Sequence, residues 1–393
     1  VTAGAVAGAA VGRADAPAML NLEDINMTDE ELINSYDPDN EENNYHLPHH
    51  LYKNLQLKHF RQVCSEVVPN EVFISSYQVA SNLESLQRHQ ITHIVNTAAD
   101  VCDSCFPEHF KYTTYYLKDT NNEDISLLFY RTFEWMQSAL EGGGRVLVHC
   151  REGVSRSATM IIAYLMWRFR LSFEAAHERI RKVRPICNPN TGFTCQLLHL
   201  GKKLGTAATP AGACPGRPAD RPLERPALFR VAPHHPKEPF LLLMPAERSA
   251  SSPTLDPRFG WVLVQRAGPA SGGEAQITLW LGSQVVDAEV VQQAVRDHAR
   301  RLEAFERCGC TVTVVSEGDE PPQLLEALGL PGEEAERGAL AAPRSAFDPD
   351  FEVLVALASA GGGCESQGEE VSAGSPESMA ATLLAHGDAV AAT

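Results

Sequence analysis

The chain has 393 residues, enough for two domains with tails, and 44% of them are hydrophobic, which supports folded cores. Its net charge of −17 argues against nucleic acid and against an anionic membrane surface as general partners. No apolar run approaches the ~18 residues of a membrane-spanning helix, and the Ala/Gly/Val-rich start lacks the basic-then-apolar order of a secretory signal.

Residues 1–60 are predicted to form a disordered acidic arm. Residues 23–42 carry nine acidic side chains and no Lys or Arg, and turn-forming residues follow. A solvated, flexible segment is the simplest interpretation, and a docking role stays open as an alternative.

Residues 61–204 alternate strand-like and helix-like segments. The strands are predicted at Glu71–Ser75, Ile91–Thr97, Tyr112–Leu117 and Arg145–His149. The helices are predicted at Ser81–His89, Ile125–Leu140, Ser157–Phe169, Ser172–Val183 and from Pro189 to about Leu204. This order predicts a compact α/β domain with a central, mostly parallel sheet flanked by helices.

A linker rich in Ala, Pro and Gly is predicted at 205–227, before a second, smaller α/β domain at 228–330. Its strands are predicted near Leu228–Ala232, Phe240–Met244, Trp261–Gln265, Gln276–Leu281 and Thr311–Val315, with helices at Val286–Phe305 and Pro322–Leu328. We expect this domain to fold on its own as an interaction module. Residues 331–393 are predicted to be mostly disordered, with order only at Phe347–Ala358.

The segment His149–Ser157 contains the candidate reactive and anion-binding residues. It follows the apolar run Val146–Val148 and precedes a long apolar stretch, which indicates strand, tight loop and helix. A loop that opens a helix directs backbone N–H groups and the positive end of the helix dipole at one point, which suits an anion. Cys150 would be stabilised there as a thiolate nucleophile, and Arg156 would clamp two phosphate oxygens. The backbone amides between these two residues would line the anion-binding site, which we call the cradle. They belong to Arg151, Glu152, Gly153, Val154 and Ser155.

This segment resembles the active-site loop of the dual-specificity branch of cysteine-dependent protein phosphatases. The stretch Asn188–Leu197 is similar to the one that closes such domains. The resemblance implies removal of phosphate from phosphotyrosine and from phosphothreonine or phosphoserine in a protein, through a phosphocysteine, without metal or cofactor. It implies a supporting role for His149 and a role for the Ser157 hydroxyl as donor to the departing thiolate.

The same resemblance places the general acid about thirty residues before the cysteine, where Asp119 matches. Asp124 and Glu123 are the alternatives, but Asp124 precedes the predicted helix at Ile125 and is better explained as its N-cap. Glu152 adds negative charge to the loop, which disfavours inositides with several phosphates, and the acidic balance disfavours an RNA end.

Three stretches of the second domain resemble a gelsolin-type repeat: Asp256–Gln265, Ile277–Gly282 and Glu317–Glu326. Phosphatase followed by gelsolin-like repeat is the order of plant-type MAP kinase phosphatases, which implies a MAP kinase substrate and a protein partner for the repeat. The chain departs from its relatives twice. The region before the catalytic domain is acidic where many animal enzymes are basic, and Gln265 stands where calcium-binding repeats usually have Asp.

The ten cysteines lack the regular spacing of a disulfide framework, which indicates a reducing compartment. We therefore expect the protein in the cytoplasm, with the nucleus as a second location. The pairs Cys102/Cys105 and Cys308/Cys310 lack matching partners for zinc and are interpreted as ordinary thiols. One rival hypothesis remains beside the enzyme, a pseudophosphatase scaffold that holds phosphoproteins without turning them over.

Overall fold

The computed structural model describes residues 29–38, 40–206, 226–246, 255–266, 274–327 and 348–359. The chain divides into two units, residues 1–60 and residues 61–393. None of the helices in these ranges is long and apolar enough to cross a bilayer.

The first unit differs from the expected disordered arm in its described part. It contains α1 (Asp29–Asn34), a 3₁₀ turn (Glu41–Asn44) and α2 (His49–Phe60). The Asn44 amide organises the turn by donating to the carbonyl oxygens of Asp37 and Asn40, at 2.6 and 2.9 Å. Helix α2 is favoured because half of its twelve residues are the good helix formers Leu, Lys and Gln, and because it contains no Gly or Pro. The acidic residues before Asp29 lie outside the described residues.

The second unit begins with a five-stranded sheet that confirms the predicted α/β class. Its strands are β1 (Ser65–Val68), β2 (Val72–Ser75), β3 (His93–Asn96), β4 (Lys111–Thr114) and β5 (Val146–His149). Their spatial order is β1-β2-β5-β3-β4, and every pair except the antiparallel β1–β2 is parallel. Strand β5 is therefore central, and its carboxyl end opens at the edge where parallel sheets bind ligands.

Helices cover both faces of this sheet. They are α3 (Tyr77–Ala80), α4 (Leu83–Arg88), α5 (Phe129–Glu141, after a 3₁₀ turn at Ile125–Leu128), α6 (Arg156–Arg168), α7 (Phe173–Val183) and α8 (Thr191–Leu204). Alternation along β5 divides the core, because successive side chains of a strand point to opposite faces. Val146 and Val148 join the larger cluster with α5 and α6, whereas Leu147 packs on the other face with Leu86 of α4.

A second five-stranded sheet follows. Its strands are β6 (Ala227–His235), β7 (Glu238–Pro245), β8 (Gly260–Arg266), β9 (Ala275–Leu281) and β10 (Cys310–Ser316), in the order β10-β9-β8-β6-β7. Its helices are α9 (Ala288–Arg301), continued by a π turn at Leu302–Glu306, then α10 (Pro322–Ala327) and α11 (Pro349–Ser359). Helix α11 coincides with most of the stretch Phe347–Ala358 that we predicted to be ordered, and Phe347 itself lies outside the described residues. Most of the predicted linker and of the predicted tail lies outside the described residues.

The second sheet is joined to the first sheet and its helices more closely than a separate module would be. It has its own apolar cluster, but Leu242 and Phe305 belong to the cluster built around α5 and α6. The Phe305 ring lies 5.5 Å from that of Tyr130, 5.8 Å from Phe133 and 5.0 Å from Trp167. The two layers therefore share apolar core, which differs from the expectation of two independent ones.

Ion pairs and hydrogen bonds surround this shared core. The Glu134 carboxylate accepts from the guanidinium groups of Arg300 and of Arg301, the latter at 2.9 Å. The Tyr130 hydroxyl donates to the Glu306 carboxylate at 2.6 Å. Burial by itself would raise the pKa of Glu134, but the hydrogen bonds and charges of Arg301 and Arg300 outweigh it, so the pKa is lowered.

Candidate active site

The nucleophile loop, residues Cys150–Arg156, joins the end of β5 to the first turn of α6. Cys150 is 2% exposed, and its Sγ accepts hydrogen bonds from the Gly153 N–H and the Ser157 hydroxyl, each at 3.2 Å. Ser157 lies in the first turn of α6, so the positive end of the helix dipole also faces the sulfur. Two hydrogen-bond donors and the helix dipole thus direct positive partial charge at the sulfur.

The shape of the loop depends on Gly153 and on Arg184, a residue that the sequence analysis did not single out. Gly153 has φ +69°, and a Cβ there would lie 2.5 Å from the Ser75 carbonyl oxygen. Arg184 is fully buried and donates to the carbonyl oxygens of Gly153 at 2.8 Å and Glu152 at 3.1 Å. By holding these carbonyls outside the cradle, Arg184 turns the N–H side of the peptides towards Cys150. Burial lowers the pKa of Arg184.

Arg156 ends the nucleophile loop as the first residue of α6, and its side chain is only 7% exposed. Its Nη1 donates to the Leu117 carbonyl at 2.8 Å and lies 3.4 Å from the Asp100 carboxylate. Its buried Nε has no hydrogen-bond partner among the described residues. The guanidinium is thus fixed at one edge and offers its Nε for a further acceptor, as phosphate recognition needs.

The acid loop, residues Leu117–Asp124, brings Asp119 to the same place. One Asp119 oxygen accepts from the Ser155 hydroxyl at 2.7 Å and the Asn190 amide at 3.0 Å, and the other lies 3.7 Å from Arg156 Nε. Asp124 does not take part in this arrangement. It caps the 3₁₀ turn by accepting from the backbone N–H and hydroxyl of Ser126, as its predicted N-cap position requires.

His149 faces away from the pocket, as alternation along β5 predicts. It is 1% exposed, its Nδ1 lies 3.4 Å from the Cys150 carbonyl oxygen, and the Tyr77 ring stacks on it at 6.3 Å. Burial lowers the pKa of His149 to about 4, so the imidazole is neutral at physiological pH. It supports the backbone of the nucleophile loop and touches no reacting position.

The outer residues of the loop face the rim. The Glu152 carboxylate accepts from Arg61 Nε at 2.6 Å and Nη2 at 3.1 Å, while the Arg151 side chain is 70% exposed. From the sequence we expected the negative charge of Glu152 to disfavour inositides with several phosphates. Because Arg61 neutralises much of it, Glu152 repels a substrate with several phosphates less than we expected.

Val154 and Ser155 complete the loop. The Val154 carbonyl accepts from the Asn188 N–H at 2.9 Å. The Ser155 hydroxyl, to which sequence reasoning gave no role beyond its amide, accepts from the Asn190 N–H at 3.2 Å while donating to Asp119. The stretch before α8 therefore ties the nucleophile loop to the acid loop.

The part of the chain that contains both loops matches a known protein family. Residues 72–203, which contain Asp119, Cys150 and Arg156, match the family described as the dual specificity phosphatase, catalytic domain. This chain carries a dual-specificity phosphatase catalytic domain. The phosphatase domain holds both loops described above.

Three relatives show how far the similarity extends. The Arabidopsis thaliana protein-tyrosine-phosphatase MKP1 is 31% identical over 278 residues, covering 71% of this chain and 33% of that protein. The human protein phosphatase Slingshot homolog 3 is 38% identical over 137 residues, covering 35% and 20%. The Dictyostelium discoideum MAP kinase phosphatase with leucine-rich repeats protein 3 is 40% identical over 141 residues, covering 36% and 16%. The chain spans a third or less of the length of these curated relatives.

Proposed function

We propose that this chain is an active protein phosphatase that hydrolyses phosphotyrosine and phosphothreonine or phosphoserine in a protein substrate. The observation that carries the proposal is the Cys150 sulfur, held by two donors at 3.2 Å in the same loop as Arg156, whose buried Nε has no hydrogen-bond partner among the described residues. Nucleophile, anion cradle and guanidinium clamp together are what phosphoryl transfer to cysteine requires.

In the first step the Cys150 thiolate attacks phosphorus, the S–P bond forms and the bond from phosphorus to the leaving oxygen breaks. Asp119 in its acid form gives its proton to that oxygen, which leaves as the free hydroxyl of the product. The 3.7 Å separation of Asp119 from Arg156 Nε supports this role, because it puts the acid beside the group that holds the phosphate.

In the second step water attacks the phosphocysteine, and the Asp119 carboxylate takes a proton from it. The S–P bond breaks, inorganic phosphate forms and the thiolate returns. The Ser157 hydroxyl donates to the sulfur and stabilises the charge that develops there.

We propose a MAP kinase as the substrate. The support is that the Dictyostelium relative is itself named a MAP kinase phosphatase, and that the similarity to the Arabidopsis phosphatase spans more residues than the catalytic domain does. We also propose that the second sheet is a gelsolin-like module that binds a protein partner. Its support is the mixed sheet order β10-β9-β8-β6-β7, with the long helix α9 leading from β9 to β10.

We place the enzyme in the cytoplasm, with the nucleus as a second site. A thiolate nucleophile needs a reducing compartment, since an oxidised sulfur cannot attack phosphorus. In the described ranges the eight cysteines are free.

The test is turnover of p-nitrophenyl phosphate by the full chain, followed by a panel of peptides carrying phosphotyrosine, phosphothreonine or both. We expect Cys150→Ser to abolish turnover, because a serine hydroxyl supplies no accessible anion at neutral pH. The matched control is Cys195→Ser on the exposed side of α8, which should keep wild-type activity. Residual turnover by Cys150→Ser within about tenfold of wild type would contradict the proposal.

A further inference from the structure

The hairpin between β6 and β7 lies against the segment that leads from β4 into the acid loop. The His235 ring stacks on the Tyr116 ring with centroids 3.7 Å apart and planes 8° from parallel. The neighbouring His234 ring lies 6.0 Å from the ring of Tyr115 and 4.9 Å from that of Phe240. Two consecutive histidines of the second sheet thus contact two consecutive tyrosines of the phosphatase domain.

A hydrogen bond fixes this contact. The backbone N–H of Tyr116 donates to His234 Nε2 at 3.0 Å. Strand β4 ends at Thr114, so Tyr116 lies beyond the ladder of the first sheet. His234 thus provides the acceptor that the chain needs two residues after the strand ends.

The bond is one of three successive anchors. The Tyr115 N–H donates to the Asn96 carbonyl at 2.8 Å, the Tyr116 N–H donates to His234, and the Leu117 carbonyl accepts from Arg156 at 2.8 Å. Asp119 follows two residues later. The direction in which the chain enters the acid loop is therefore set from β3, from the second sheet and from the nucleophile loop together.

The protonation state of His234 suits an acceptor. Nε2 accepts only in the neutral ring, with the proton on Nδ1. Burial, with smaller contributions from the charges of His235 and Arg131, lowers the pKa of His234 to about 4. The bond is therefore available throughout the neutral range.

We propose that His234 is a positioning residue for the general acid Asp119, so that the second sheet forms part of the support of the acid loop. The proposal rests on the phosphatase function proposed above. It assigns the β6–β7 hairpin to the catalytic unit, although the sequence predicted a module without a catalytic part.

The experiment uses the full chain and two substrates that differ in their leaving group, p-nitrophenyl phosphate and phenyl phosphate. The ratio of their kcat/KM values reports protonation of the leaving oxygen, because nitrophenolate leaves readily without a proton and phenolate does not. His234→Phe keeps an apolar ring but removes the acceptor, whereas His234→Gln keeps an acceptor at a similar reach.

We expect His234→Phe to lower kcat/KM for phenyl phosphate by about tenfold and for p-nitrophenyl phosphate by less than about twofold, since a misplaced acid slows the step that needs it. His234→Gln should restore the wild-type ratio. An unchanged ratio in a folded His234→Phe protein overturns the proposal, and so do equal losses on both substrates. Failure of His234→Gln to restore the ratio also overturns the proposal. The loss in His234→Phe would then not come from the missing hydrogen-bond acceptor.

A second measurement needs no variant. Amide hydrogen exchange at Tyr116 in the wild-type chain should be protected, and exchange at the rate of an unstructured amide would overturn the proposal. The underlying function is judged separately. A wild-type chain without turnover, or with turnover equal to that of Cys150→Ser, would refute the phosphatase proposal itself, whereas an altered ratio concerns His234 alone.

Discussion

Asp119 and Asp124 both precede the nucleophile loop, and their hydrogen-bond partners separate their roles. Asp119 contacts Ser155, Asn190 and Arg156, whereas Asp124 binds the start of the following turn. Both carry a carboxylate on the same loop. Only the first lies beside the Arg156 guanidinium, which we propose binds the phosphate.

We predict that Asp119→Asn slows turnover of a phosphothreonine peptide by about 10²–10⁴-fold, because an alkoxide leaves poorly without a proton. Turnover of p-nitrophenyl phosphate should fall much less. Asp124→Asn is the matched control, since Asn is as good an N-cap as Asp and should leave both rates near wild type. Equal losses on the two substrates, or the same pattern from Asp124→Asn, would show that the acid is assigned wrongly.

His149 makes the stability of the fold depend on pH. Its pKa is lowered by burial from 6.5 to about 4, so the folded state binds the proton less readily than the unfolded state does. The stabilisation is therefore complete above about pH 6.5 and is lost as the pH falls towards 4.

We predict that the free energy of unfolding, measured by urea denaturation, falls between pH 6.5 and 4, with about 3 kcal/mol of the loss due to His149. His149→Asn should show a shallower decline over this range, because it has no group to protonate there. The carboxylates titrate in both proteins and cancel in the comparison. Identical slopes for the two proteins would refute the assignment.

The site residues that could be predicted from the sequence are those that lie close together along the chain. Cys150, Gly153 and Arg156 lie within one loop between a strand and a helix, so their spacing is visible in the sequence. Arg184 and Asn190 are far along the chain and follow no period, and their contacts exist only once α7 and α8 have packed. No local pattern marks a buried arginine that binds two loop carbonyls.

At the scale of elements, the nucleophile loop is fixed by a glycine that no other residue can replace without movement. A Cβ at Gly153 would lie 2.5 Å from the Ser75 carbonyl oxygen and 2.6 Å from Arg184 Nη2. Both neighbours are held, the first by strand β2 and the second by its hydrogen bonds. The φ of +69° adds strain for any residue with a side chain.

We predict that Gly153→Ala lowers kcat/KM for p-nitrophenyl phosphate by at least about a hundredfold, because the cradle must shift by an ångström-scale displacement. Gly143→Ala is the matched control. Gly143 has a similar φ of +75° but nothing within 4 Å of the added Cβ, so it should cost stability of about 1 kcal/mol and leave activity unchanged. Similar activities of the two variants would mean that the cradle tolerates a side chain.

The regular elements follow from periodicity, and the exceptions have a physical reason. Strands β2, β3 and β5 are short apolar runs flanked by turn residues, and they lie within the predicted ranges. The prediction omitted β1 (Ser65–Val68), an edge strand whose four residues become a strand only by pairing with β2. The predicted helix at Ile125 begins as a 3₁₀ turn, a difference that the spacing of apolar residues cannot show.

At the scale of the whole molecule, the second sheet completes a core that the sequence assigned to the phosphatase domain alone. Phe305 is 2% exposed and lies among Tyr130, Phe133 and Trp167. Its place in the predicted helix Val286–Phe305 gave no sign of this, because an apolar position looks the same whichever core it enters.

We predict that Phe305→Ala lowers the free energy of unfolding by about 3–5 kcal/mol, from lost apolar burial and the cavity left behind. Val314→Ala, at a 42% exposed position of β10, should cost less than about 1 kcal/mol. Phe305→Ala should lower by the same amount the temperature at which p-nitrophenyl phosphatase activity is lost and the temperature at which the second sheet unfolds. Two separate transitions, of which Phe305→Ala shifts only that of the second sheet, would favour independent domains.

The most direct test of the chemistry is to trap the phosphocysteine. The full chain is mixed rapidly with p-nitrophenyl phosphate and quenched in acid, and the phosphorylated peptide is identified by mass spectrometry. Ser157→Ala should prolong the intermediate, because the departing thiolate loses its hydroxyl donor. We predict phosphate on Cys150, accumulating more in Ser157→Ala than in wild type. Steady turnover with phosphate on another residue, or with no phosphoenzyme in either protein, would contradict a phosphocysteine mechanism.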